Sequence, residues 1–98
     1  MNNKQIKYLK GLAQKMNPSV IVGKAQVTDP VVEELRKGLA AHELVKVKFA
    51  EPDREDFLQL AEDLREKACA SKIQIIGRMA IYYRQHPDVA KRKIRLPS

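Results

Sequence analysis

The hexapeptide Leu44-Val45-Lys46-Val47-Lys48-Phe49 constrains the fold more than any other segment, because it alternates with period two between two stretches of helical period. Ahead of it, Val31, Leu35 and Leu39 recur every four residues. Behind it, Phe57, Leu60, Ala61, Leu64 and Ala68 follow the i, i+3, i+4, i+7, i+11 spacing of one helix face. A strand flanked by amphipathic helices belongs to an α/β layer fold. Val45, Val47 and Phe49 are expected inward. Lys46 and Lys48 are expected outward, either extending a basic face or keeping the sheet soluble.

The rest of the chain fits that plan. Ile6, Leu9, Leu12, Ala13 and Met16 predict a first helix over residues 4–16, with Lys4, Lys7 and Lys15 on its far side. Asn17-Pro18 stops it, and residues 19–22 read as a short strand. Asp29 as N-cap and Pro30 as first helical residue open a second helix that ends near Ala41 or His42. Pro52-Asp53 opens the third. Residues 73–84 read as two β-branched and aromatic strands meeting near Gly77 and Arg78, with Tyr82 and Tyr83 on opposite faces. The order α-β-α-β-α-β-β describes one domain over residues 1–98. It is a four-stranded mixed sheet packed with helices, followed by a basic, flexible tail from about residue 87.

The net charge of +7 is unevenly placed. Residues 1–27 hold five lysines (4, 7, 10, 15 and 24) and no acidic residue. In residues 28–70, seven basic residues stand against eleven acidic ones, and residues 71–98 carry seven against one. Basic ends around an acidic middle suit a polyanion on one face, with the acidic residues Glu55, Asp56, Glu62, Asp63 and Glu66 of the third helix turned away. The plain alternative is a basic chain whose charge serves solubility alone.

Val22-Gly23-Lys24-Ala25-Gln26-Val27-Thr28-Asp29-Pro30 is the segment with ligand chemistry. A strand runs into a glycine turn with a lysine and then into a helix start, where backbone N–H groups suit a phosphate. Arg78 and Arg84, flanking the last strand, are further phosphate candidates.

Enzymatic chemistry has little to work with. The glycines at 11, 23, 38 and 77 form neither a P-loop nor a dinucleotide fingerprint, so no cofactor is expected. His42 reads as a helix C-terminal cap and His86-Pro87 as a turn. Cys69, the single cysteine, reads as a small packed residue, which excludes an internal disulfide and leaves a metal site hard to assemble. No run approaches the roughly 18 apolar residues of a membrane span. A cytoplasmic monomer is expected.

These residues resemble a known family. Leu9-Lys10-Gly11-Leu12-Ala13, Val22-Gly23-Lys24, His42-Glu43-Leu44-Val45-Lys46-Val47-Lys48, Ile75-Ile76-Gly77-Arg78, Ile81-Tyr82-Tyr83-Arg84 and Ile94-Arg95-Leu96-Pro97, in this order, are similar to a stand-alone bacterial YhbY-type CRM domain, the chloroplast RNA splicing and ribosome maturation module. The resemblance implies a fold similar to the C-terminal domain of translation initiation factor 3. It implies non-catalytic binding of RNA, 23S rRNA in precursors of the large (50S) ribosomal subunit, with ribosomal proteins as further partners. The family's G-x-x-G loop falls on Gly23, Lys24, Ala25 and Gln26, and Gln26 replaces the second glycine. A Cβ there keeps another backbone further away, while the side-chain amide offers donors instead. The expected RNA-binding set is Lys4, Lys7, Lys10, Lys15, Gly23, Lys24, Ala25, Gln26, Arg78 and Arg84. The competing reading is a protein-interaction module that engages a basic ribosomal protein or assembly factor through the acidic third helix.

Overall fold

The computed structural model describes residues 1–24 and 26–98. Its elements run α1 (Asn3–Gln14), β1 (Val20–Val22), α2 (Asp29–His42), β2 (Leu44–Phe49), α3 (Arg54–Ala68), β3 (Ser71–Ile76) and β4 (Met79–Tyr83), then a 3-10 turn at Val89–Lys91. This is the order that periodicity predicts. The strands form one sheet in the order β1-β2-β4-β3, with β1 parallel to β2 and the other two pairings antiparallel. No helix among the described residues is long and apolar enough to cross a membrane.

Local chemistry sets the boundaries. A capping box starts α1: the Asn2 side chain accepts from the Gln5 N–H at 2.9 Å, and the Asn2 N–H donates to the Gln5 side chain at 3.1 Å. Asp53 caps α3 by accepting from the Asp56 N–H at 2.9 Å. In α2 the N-cap is Thr28 and not Asp29, and Thr28 makes no side-chain cap bond. Asp29 is already helical, where its charge complements the helix dipole. Cys69 is exposed rather than packed, and it ends α3 in the left-handed conformation (φ 54°). Gly77 opens the β3–β4 turn at φ 58°, a conformation other residues adopt at a cost. Gly38 lets α2 settle on β2, since an added Cβ would meet Val45 Cγ2 at 3.0 Å.

Both faces of the sheet are covered, by different elements. On one, α2 and α3 enclose Val20, Val22, Val45, Val47, Phe49, Ala80 and Tyr82. The seam of α2 is Val32, Leu35 and Leu39, and Val31 is only partly buried. On the other face α1 and the chain end cover Leu44, Ile81 and Tyr83, using Leu9, Ala13, Met16, Ile94 and Leu96. Tyr82 and Tyr83 therefore do point to opposite faces, and both are core. The second layer also overturns the expectation for Lys46, which is 7% exposed beneath α1 and donates Nζ to the Met16 carbonyl at 2.8 Å. That carbonyl, just past the end of α1, gives the buried ammonium a hydrogen-bond partner.

The Tyr82 hydroxyl donates to the Ala61 carbonyl at 2.7 Å inside the first core, and burial pushes its ionisation well above the ordinary tyrosine value. Tyr82→Phe is expected to lower stability by about 1 kcal/mol, the net contribution of one buried hydrogen bond. A chemical denaturation curve with unchanged slope and a lower midpoint is the expected result.

The basic chain end folds back on the sheet, and Glu43 holds it. Glu43 ends α2 with φ 66°, and its side chain is fully buried. Its carboxylate accepts from the backbone N–H groups of His86 (2.7 Å), Lys93 (2.5 Å) and Ile94 (2.8 Å). Its own N–H donates to Leu39 and its carbonyl accepts from Arg84. The helix cap expected of His42 is thus made by Glu43. Burial pushes the Glu43 carboxyl up, but the three N–H bonds and the charge of Arg92 outweigh it and leave the group below its ordinary value. Gln5 fastens the far end by donating Nε2 to the Pro97 carbonyl at 3.0 Å.

Candidate nucleic-acid interface

Strand direction decides which sequence-predicted residues meet. Because β1 and β2 are parallel and Val22 pairs with Phe49, the Gly23-Lys24 turn leaves the sheet where β2 ends. The Gly77-Arg78 turn sits at the same end, with the Phe49 N–H donating to the Arg78 carbonyl at 2.8 Å. Gly23, Lys24 and Gln26 are all exposed, and an added Cβ on Gly23 would meet nothing within 4 Å. The open approach to this turn therefore comes from its position at the rim of the sheet. Ala25, the remaining loop residue of the expected set, lies outside the described residues.

The lysines of α1 divide by flank. Lys4, Lys7 and Lys15 are exposed and Lys10 is half-buried. Leu12, Met16, Leu44 and Ile94 line one shallow cleft, so the Leu12 side of α1 looks toward the start of β2. At 3.6 residues per turn, Ile6, Lys10 and Gln14 occupy the opposite side and look toward the end of β2, with Lys7 above them. There Lys48 is exposed, two residues beyond the buried Lys46 on the same face. Lys10, Lys24 and Lys48 thus border one end of the sheet, with Lys7 above them on the outer face of α1, while Lys4 and Lys15 continue the stripe over the helix.

The two arginines do not join them. Arg78 turns to the α3 side, where Nε donates to the Glu51 carbonyl at 3.1 Å and Nη2 to the Pro52 carbonyl at 2.6 Å, with the guanidinium 5.3 Å above the Phe57 ring. It fastens the turn into α3. Arg84 lies at the opposite end of β4, about 20 Å away by strand rise, beside Glu43. The acidic helix is partly neutralised from within. Glu62 pairs with Arg65 at 2.6 Å and approaches Lys72 at 3.9 Å, so Arg65 foremost holds its carboxyl below the ordinary range. Sequence reasoning missed Tyr8, 43% exposed within the lysine stripe, because it falls just off the apolar arc. It also missed Ile21, 66% exposed although it lies inside a β-branched strand.

Residues 1–84, which contain this whole arrangement apart from the folded-back chain end, match the model of the CRS1 / YhbY (CRM) domain. The chain belongs to the CRM domain family. Two relatives of this CRM domain have names that state a binding partner. One is the Haemophilus influenzae "RNA-binding protein", 36% identical over 97 residues that make up 99% of this chain and 95% of that one. The other is the Pseudomonas aeruginosa "Probable RNA-binding protein PA4753", 34% identical over 91 residues, 93% of this chain and 88% of its own. The solved solution structure of SAV1595 from Staphylococcus aureus superposes with a TM-score of 0.82 at 30% identity, covering 99% of both chains. The aligned range includes the C-terminal segment held by Glu43.

Proposed function

We infer that this CRM domain is a non-catalytic RNA-binding protein that engages 23S rRNA in precursors of the large ribosomal subunit and assists their assembly in the cytoplasm. The observation that carries the reading is the placement of Lys10, Lys24 and Lys48 at one sheet end, with Lys7 above them on α1, beside an open glycine turn, and the acidic helix on the other face. An RNA backbone approaching there meets positive charge from α1, the loop and β2 together. The relatives named as RNA-binding proteins support the choice of polyanion. The ribosomal particle comes from the resemblance in the motifs.

Sedimentation tests it. Tagged protein is run with cell lysate through a sucrose gradient, comparing wild type with a Lys7, Lys10, Lys24 triple alanine variant. Wild-type signal is expected at the large-subunit precursor and variant signal at the top. Wild-type signal confined to the top removes the ribosomal assignment.

A further inference from the structure

The end of the sheet bordered by these lysines has a floor, and it is apolar apart from Lys48. Ile21 pairs with Lys48, Lys48 with Met79, and Met79 with Ile76, so these four side chains form one row across β1, β2, β4 and β3. Directly paired residues share a face. The row therefore lies on the α1 side, next to the covered row of Lys46 and Ile81, but past the edge of the helix. Ile21 is 66% exposed and Ile76 39%. Three strand spacings make the row about 14 Å long.

We propose that this row is a platform for the bases of unpaired RNA, with Lys10, Lys24 and Lys48 holding the phosphates beside it. The proposal rests on the RNA-binding reading above and narrows it to single strands. Charge complementarity selects the partner: the shelf is walled by the Lys10 flank of α1, contains Lys48 and opens at its β1 end onto the Gly23-Lys24 turn. An apolar floor with a cationic margin matches a chain whose bases have apolar faces and whose backbone is anionic. A duplex keeps its bases stacked inside and offers mainly phosphates and 2′-hydroxyls, for which Ile21 and Ile76 provide nothing.

The test is fluorescence anisotropy with a short unstructured oligouridine and a hairpin duplex of similar length, using wild type and an Ile21→Ser, Ile76→Ser double variant. The variant is expected to lose roughly tenfold in affinity for oligouridine, with its salt slope and hairpin affinity unchanged, since base contacts carry no counter-ion term. Ile21→Tyr, which enlarges the platform without removing apolar surface, is expected to tighten oligouridine binding and guards against a misfolded serine variant. Full oligouridine affinity in the folded double variant, or wild type binding both RNAs alike, overturns the platform while leaving RNA binding intact. Wild type binding neither RNA overturns both readings. A wild-type dimer dissolved by Ile21→Ser reassigns the row to self-association and also overturns it.

Discussion

Glu43→Ala is expected to destabilise the protein by about 3 kcal/mol, a fall in the thermal midpoint of roughly 15–20 °C for a chain of this size. Three backbone N–H groups, on His86, Lys93 and Ile94, lose one shared acceptor. Either they stay buried and unsatisfied, at roughly 1–3 kcal/mol each, or the segment lifts off and exposes Leu44, Ile81 and Tyr83. Both routes weaken the second core, and hydrogen exchange distinguishes them: lifting leaves the amides of residues 86–97 unprotected while β2 stays protected. Glu43→Gln keeps one acceptor oxygen and is expected to fall between alanine and wild type. A Glu43→Ala midpoint within a degree or two of wild type would show that the carboxylate does not anchor the chain end.

The same residue makes stability depend on pH in a defined direction. The folded-state carboxyl of Glu43 titrates below its ordinary value of 4.5, so its stabilisation is complete above about that pH and is lost as pH falls through the lowered folded value. Midpoints measured from neutrality into acid should fall more steeply for wild type than for Glu43→Gln, with the two curves converging at the acid end.

The other large effect concerns RNA. With about five phosphate contacts on a single strand, wild-type affinity should fall with salt on a log–log slope near −3.5. Removing Lys7, Lys10 and Lys24 should bring the slope to about −1.4 and weaken binding roughly a hundredfold at 0.1 M salt, since the two lines meet near 1 M. The paired change separates a phosphate contact from a fold defect. A misfolded variant loses affinity without a proportionate change of slope. Slopes that remain parallel would place the contacting cations elsewhere, and the Lys4–Lys15 stripe of α1 would then be the next surface to neutralise.

Much of this molecule was legible in its residues. The 3.6 and 2 periods place three helices and four strands, and Asp29-Pro30 and Pro52-Asp53 place the starts of α2 and α3 within a residue or two, because these signals are local. The concentration of lysine before Val27 and the glycine turn also stand in the sequence and point to a polyanion. What periodicity cannot report is whether a second layer lies over a strand's polar face. Lys46 and Lys48 are equivalent in the alternation, yet α1 buries the first and leaves the second open, since the helix is narrower than the sheet is long. Nor can it report what a lone charge beside a helix end will meet. Glu43 is buried only because residues 86–94 return to it from more than forty positions away. Arg78 and Arg84 look like one pair in sequence, but they stand at opposite ends of β4, one bound to the turn before α3 and the other beside Glu43. The elements, their order and where the charge concentrates along the chain are written in neighbouring residues. Which cations share a surface, and which apolar row is left uncovered beside them, were decided by strand register and by where α1 comes to rest.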